Sequence, residues 1–296
     1  MIVRDAPRAL DLIFAIRGSI LPRIALRLIA LMGFAALLVW LDRRADLLPE
    51  TGGLGFTVFG IALSLFLGFR NNAAYDRWWE ARKLWGGLLA DMRSLAREAE
   101  VFVRDDALRL SLLRTARGFL HLHRANLRGL GGDELAQRHG GTLTDAPHPP
   151  DAALDAMAAL VKQGALGGMI DSFGQRTLAE RLRSMALKQA GCERIATTPL
   201  PYVYSLLIYR TTWLFCLLLP LALVGPAGWL TPVFVGIVGY VFFGLAEVTE
   251  ELSHPFGQTP NGLPLDAICR AAEISLAPHL DEEAPAPLEP KDYFLS

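Results

Sequence analysis

The chain has 296 residues, of which 52% are hydrophobic, and its 29 basic and 30 acidic side chains nearly cancel. This hydrophobic share is high for a soluble domain, and the balanced charge gives no global field that would attract nucleic acid. The three cysteines are far apart and odd in number, which argues against a disulfide framework or a cysteine metal motif. An acid and a proline precede any apolar run, so we expect no cleavable signal peptide.

Four apolar blocks come close to the length that crosses a bilayer. They occupy residues 24–41, 51–69, 211–224 and 226–246. A membrane helix needs about 20 apolar residues, so the first and third blocks are short. Only a Gly-Pro break separates the third block from the fourth, which predicts a helical hairpin with a tight turn. The pattern therefore predicts an all-α membrane protein with four transmembrane helices.

Basic residues mark the predicted cytoplasmic ends of the blocks. They are Arg17, Arg23, Arg70, Arg77, Arg82, Lys83, Arg194 and Arg210. The turn between the third and fourth blocks carries no charge. We therefore expect a multi-pass protein whose termini and long middle segment all lie in the cytoplasm.

The middle segment is helical in pattern. Amphipathic helices are predicted at residues 91–103, 106–127, 151–163 and 177–189. The predicted organisation has four parts. They are residues 1–74 with the first two spans, a cytoplasmic helical region at 75–210, the last two spans at 211–246, and a cytoplasmic C-terminal segment and arm at 247–296.

Three motifs resemble the bestrophin family of ion channels. They are SLFLGFRNNAAYDRWWEARKLWG at 64–86, TTPLPYVYSLL at 197–207 and EVTEELSHPFG at 247–257. The four-span layout agrees, and the resemblance covers roughly residues 1–275. It implies a homopentamer around a central pore, a hydrophobic neck lined by the second transmembrane helix, and a further constriction in the cytoplasmic part.

The second block carries the candidate neck. Ile61, Leu65 and Phe69 recur every four residues and match the neck positions of the family. A ring of such side chains would gate by dewetting rather than by binding ions. Gly60, Ser64 and Gly68 form a stripe of small residues one position earlier, which would let helices pack closely. The alternative for the apolar stripe is contact with lipid or neighbouring helices.

Other candidate pore residues flank the neck. Asn71 and Asn72 are candidates for the inner pore mouth, and Glu50 for the outer entrance. Leu178 and Leu182 share a helix face and are candidates for the cytoplasmic constriction, with ordinary bundle core as the alternative.

No metal, cofactor or catalytic site is predicted. His121 and His123 face different directions on a helix, so ligation with His139 or His148 would need the fold to bring them together. In animal members, the Pro-Phe-Gly of the third motif is followed by an acidic calcium-binding run. That run is missing after Gly257, so we expect a prokaryotic member without calcium activation.

The predicted function is a passive ion channel of the bacterial inner membrane rather than an enzyme. Its predicted partners are its own copies, membrane lipid and permeant monovalent ions, without nucleic acid. The neck is neutral and no basic ring is evident, which favours sodium and other monovalent cations. The alternative is a chloride channel, and the alternative of another class is a membrane-anchored scaffold or sensor.

Overall fold

The computed structural model describes residues 1–3, 15, 18–46 and 53–296. Within these ranges the chain is helical, and its β-structure is limited to isolated bridges that join residues 2 and 291 to residue 294. The α-helices are α1 (Leu21–Ala45), α2 (Leu54–Phe102), α3 (Asp106–Arg128), α4 (Glu134–Gly140), α5 (Pro149–Leu166), α6 (Ser172–Thr197), α7 (Tyr202–Ala227), α8 (Thr231–Ser253) and α9 (Leu265–Leu276). The predicted all-α fold class is confirmed.

The chain forms two compact units. The span unit comprises Arg4–Trp78 and Pro199–Ser253. The helical unit comprises Met1–Val3, Trp79–Thr198 and His254–Ser296.

The span unit contains the apolar helices. Three helical segments of the described chain are long and apolar enough to cross a membrane, namely Leu21–Ala45, Leu54–Phe102 and Tyr202–Ser253. The third segment contains both α7 and α8, which a 3-10 turn at Gly228–Leu230 separates. The Phe215 and Phe242 rings meet edge to face at 5.4 Å, so α7 and α8 fold back on each other as a hairpin. The turn lies at Gly228–Leu230 and not at the predicted Gly-Pro break, because α7 continues through Pro226 to Ala227. The described spans are therefore four.

The α2 helix is longer than the sequence predicts. It runs for 49 residues without a break, although the pattern predicts a span at 51–69 and a separate helix at 91–103. The stretch between them contains no proline, and Gly86 and Gly87 are its only helix-weakening glycines. One glycine costs about 1 kcal/mol in a helix, which packing along a long helix readily offsets.

The helical unit is built around α3. Asp105 caps the start of α3 by accepting a hydrogen bond from the Leu108 N–H at 2.7 Å, and Gly129 ends the helix at a φ of 63°. The His123 imidazole stacks between Trp85, at 5.5 Å, and Phe119, at 5.8 Å. All three side chains are buried, so they form the centre of this unit's core.

Candidate pore-lining face of α2

One face of α2 packs inside the span unit. Leu63 and Leu67 are buried in a cluster that also contains Phe215 of α7. The Phe59 ring meets Phe215 edge to face at 5.5 Å. A Cβ on Gly60 would lie 3.2 Å from that same ring, so the glycine permits close approach of the two helices. This face holds α2 against α7.

The opposite face of α2 carries the predicted neck residues. Ile61, Leu65 and Phe69 are 66%, 58% and 62% exposed. They lie on a charge-free stretch of a membrane-spanning helix, and one subunit alone does not cover them. Large apolar side chains in such a row face lipid, another subunit or a pore. The resemblance to bestrophins predicts that these three residues line the pore.

The residues of the small-residue stripe differ in what surrounds them. Gly60 contacts Phe215 within the chain, as described above. Ser64 is exposed, and its hydroxyl donates to the Gly60 carbonyl at 2.8 Å, which satisfies this polar group inside an apolar span. A Cβ on Gly68 would meet no atom within 4 Å. Two of the three small positions are thus uncovered within this subunit.

The polar residues after the neck separate into two groups. Arg70 turns inward, where it donates to Ser205 Oγ at 2.9 Å and to Glu250 Oε2 at 3.0 Å. Asn71 is also partly buried, 3.4 Å from Thr249 Oγ1. Asn72 is exposed. The two candidate inner-mouth residues therefore differ, and only Asn72 lies on the neck face.

Asp76 continues the neck face and was not singled out by sequence reasoning. It is exposed and follows Leu65 by eleven residues, close to three turns at 3.6 residues per turn. Asn72 follows Leu65 by seven residues, close to two turns. Extending the helical period past Arg70 would have identified Asp76.

The acidic residues at the end of α8 are partnered. Glu251 forms an ion pair with Arg23, and Glu247 lies 3.5 Å from Arg23 and 3.8 Å from Arg27. Glu250 pairs with Arg70, as described above. Because arginines neutralise these carboxylates, the trio serves to join helices rather than to bind a cation.

The remaining candidate residues lie elsewhere. Leu178 and Leu182 are buried in the helical unit, which favours the alternative of bundle core over a pore constriction. Glu50 lies outside the described residues.

Comparison with known proteins identifies the family. The family described as "Bacterial/Fungal Bestrophin protein" matches residues 1–278. The chain is 41% identical to a voltage-dependent anion channel-forming protein of Mesorhizobium japonicum, over 100% of this chain and 97% of that protein. It is 36% identical to the voltage-dependent anion channel-forming protein YneE of Escherichia coli K12, over 99% of each.

A solved structure agrees with this match. A bacterial bestrophin homolog from Klebsiella pneumoniae superimposes with a TM-score of 0.82 at 29% identity, covering 88% of this chain and 99% of that one. The fold is that of a helical membrane protein, and the relatives named above are channel-forming proteins. The chain belongs to the bacterial and fungal bestrophin family. The predicted membrane location and prokaryotic membership are confirmed, and the class is that of ion channels rather than enzymes.

Proposed function

We propose that this chain is one subunit of a homopentameric ion channel in the bacterial inner membrane. The observation that carries the proposal is the uncovered face of α2 at Ile61, Leu65 and Phe69, opposite a face that packs on α7. A closed cyclic assembly presents the same surface of every subunit to its axis. With this face on the axis, each of the three positions forms a ring of apolar side chains.

Such a neck controls flow by wetting. Rings of isoleucine, leucine and phenylalanine offer water no hydrogen bonds, so a narrow neck lined by them tends to lose its water and stop ions. Shortening a side chain widens the neck and lets water in. Conductance should therefore rise when a neck residue becomes alanine.

The permeant ion is proposed to be a small monovalent anion such as chloride. The names of the relatives in Mesorhizobium and Escherichia support this alternative better than the sodium selectivity expected from the sequence. The neck itself is neutral, so charge selection has to come from groups outside it.

A specific observation keeps sodium as the second candidate. Asp76 is exposed on the neck face, just beyond Asn72. In a closed assembly it would form an acidic ring near the inner pore mouth, and acidic rings favour cations. Sodium is the permeant ion if the Asp76 ring dominates charge selection, and chloride is the permeant ion if other groups dominate it.

The orientation follows the distribution of basic residues. Arginines cluster at the ends of the spans that join the helical unit, whereas the Gly228–Leu230 turn is uncharged. Arg43 and Arg44 at the other end of α1 are offset by Asp42 and Asp46. The positive-inside rule then supports a cytoplasmic helical unit and cytoplasmic termini.

Planar-bilayer recording in asymmetric sodium chloride tests the proposal. The expected result is a current that reverses near the chloride equilibrium potential and grows in Ile61→Ala. The matched control is Ile237→Ala, which removes an isoleucine that is 56% exposed on α8. Reversal near the sodium potential would support the second candidate. Absence of current in wild type and Ile61→Ala would support a membrane-anchored scaffold instead.

A further inference from the structure

Three side chains from three helices converge in the helical unit. His121 on α3, His139 on α4 and Glu273 on α9 offer ligand atoms that all lie within 4.8 Å of one another. His121 Nε2 is 2.7 Å from Glu273 Oε1, and His139 Nε2 is 3.8 Å from the same oxygen. The two imidazole rings stack with their centroids 4.5 Å apart. The fold thus supplies the convergence of His121 and His139 that ligation requires.

This ligand set suits zinc. Two imidazole nitrogens and one carboxylate oxygen form a known zinc site in which water takes the fourth position. Zinc bonds of about 2.0–2.2 Å in a tetrahedron place neighbouring ligand atoms roughly 3.3–3.5 Å apart. The observed separations of 2.7 Å and 3.8 Å lie on either side of that spacing. The two imidazole rings are nearly parallel, at 19°, so they would have to tilt toward one ion for both nitrogens to bind it in their ring planes.

We propose that His121, His139 and Glu273 bind one zinc ion, which fastens α4 and α9 to α3. The site is separate from the neck and does not depend on the ion that the channel passes. Its ligands come from three helices, and Glu273 is remote in sequence from both histidines, so the bound ion would act as a cross-link within the subunit.

The carboxylate of Glu273 is oriented for this role. Its Oε2 forms an ion pair with Arg270 Nε at 2.7 Å, which leaves Oε1 facing the two histidines. His121 is buried, and within the described chain its Nδ1 has no hydrogen-bond partner. Its Nε2 is therefore the ring nitrogen that Glu273 holds in place.

The charges around the three ligands affect the expected affinity for zinc. Arg117 lies near the cluster but pairs with Glu282 at 2.5 Å, and Arg270 pairs with Glu273 itself. Arg138 adds positive charge near His139. This excess of positive charge weakens the attraction of a cation, so we expect moderate affinity rather than that of a closed structural zinc site.

Zinc titration of the purified full-length protein tests the proposal. The protein is first stripped with a chelator, and zinc chloride is then followed by calorimetry and by thermal melting. The expected result is one zinc per subunit and a melting temperature that rises with zinc, because a ligand that binds the folded state stabilises it. His139→Ala should bind zinc at least tenfold more weakly.

The matched control is His148→Ala. His148 is a more exposed histidine of the same unit that pairs with Glu193 at 3.3 Å, so its loss should leave zinc affinity unchanged. Glu273→Gln keeps the side-chain size and should weaken zinc binding like His139→Ala, which covers the case that one variant does not fold. Equal zinc affinity in wild type and both site variants, or no binding to wild type, would overturn the proposal.

Discussion

Leu65 and Leu67 lie two residues apart on α2 and have opposite surroundings. Leu67 is fully buried against the other spans, whereas Leu65 is 58% exposed. The side chains are identical and both lie in an apolar span, so hydrophobicity alone does not separate them. The packing of α2 on α7 does, and it leaves Leu65 on the surface that a subunit can offer to a pore.

The leucine pair predicts different effects of the same truncation. Leu67→Ala should lower the free energy of unfolding by about 2–5 kcal/mol, because it leaves a cavity in a packed core. Leu65→Ala removes atoms that touch little of their own subunit and should change stability much less. Melting temperatures of the two variants in the same detergent check this. Equal destabilisation would mean that Leu65 is covered within the subunit.

Charge selection is predicted to respond to Asp76. Asp76→Asn removes the acidic ring that the proposed assembly would place near the inner mouth, so the reversal potential in a salt gradient should shift toward that of chloride. Asp151→Asn, an exposed acid at the start of α5, is the control and should cause no shift. An unchanged reversal potential in Asp76→Asn would show that Asp76 does not contribute to charge selectivity.

Assembly is predicted to depend on Gly68. Its α2 position beside the neck face has open space within the subunit, and a neighbouring α2 in a ring would fill that space. Gly68→Leu should therefore shift the protein toward smaller species in light scattering after size exclusion. Gly33→Leu, on α1, also has open space and serves as the control. Intact oligomers in Gly68→Leu would show that no neighbour packs there.

Acid stability is predicted to depend on Asp266. Burial tends to raise the pKa of this carboxyl, but hydrogen bonds and charge from Arg128 and Arg124 lower it overall. Because the folded pKa lies below the unfolded value, the ion pairs stabilise the fold above about pH 4. That contribution is lost as the pH falls through the lowered pKa.

The corresponding variant is Asp266→Asn. It leaves the buried Arg128 guanidinium without its carboxylate and leaves Arg124 with Asp133 alone, and it should cost about 3–5 kcal/mol at pH 7. Its deficit in melting temperature should shrink as the pH falls from about 4 through the lowered pKa of Asp266, where folded wild type also loses the charge. A deficit that does not change with pH would indicate a packing effect rather than loss of the ion pairs.

The sequence predicted the spans well because a bilayer imposes a strong and simple pattern. Apolar length located the spans and the hairpin of α7 and α8, but the Gly-Pro break did not locate its turn, because Pro226 lies inside α7. Helix bounds were less predictable. α7 begins at Tyr202, nine residues before the predicted apolar block, because helical geometry extends beyond the apolar residues. Pro201 takes the N-cap position, where its missing N–H costs no helical hydrogen bond.

Side-chain roles were harder to predict, because they depend on contacts between distant residues. Asn71 and Asn72 are adjacent and alike, yet α8 covers one and leaves the other exposed. Glu273 carried no motif, and its proximity to His121 arises from residues 152 positions apart. No local pattern contains that information.

Thiol chemistry can probe the neck directly, because the native cysteines are hidden. Cys192, Cys216 and Cys269 are all buried. Burial raises the pKa of Cys192 and of Cys269 to about 12, which keeps these two thiols protonated and unreactive at neutral pH. A single cysteine introduced on α2 therefore supplies the reactive site without removal of the others.

The most direct measurement is the current through Leu65→Cys channels before and after a charged thiol reagent, with Leu67→Cys as the control. If α2 lines the pore through the Ile61, Leu65 and Phe69 face, the reagent should reduce the Leu65→Cys current irreversibly and leave the Leu67→Cys current unchanged. A conducting Leu65→Cys channel that the reagent does not affect, or equal inhibition of both variants, would contradict the assignment of this face to the pore.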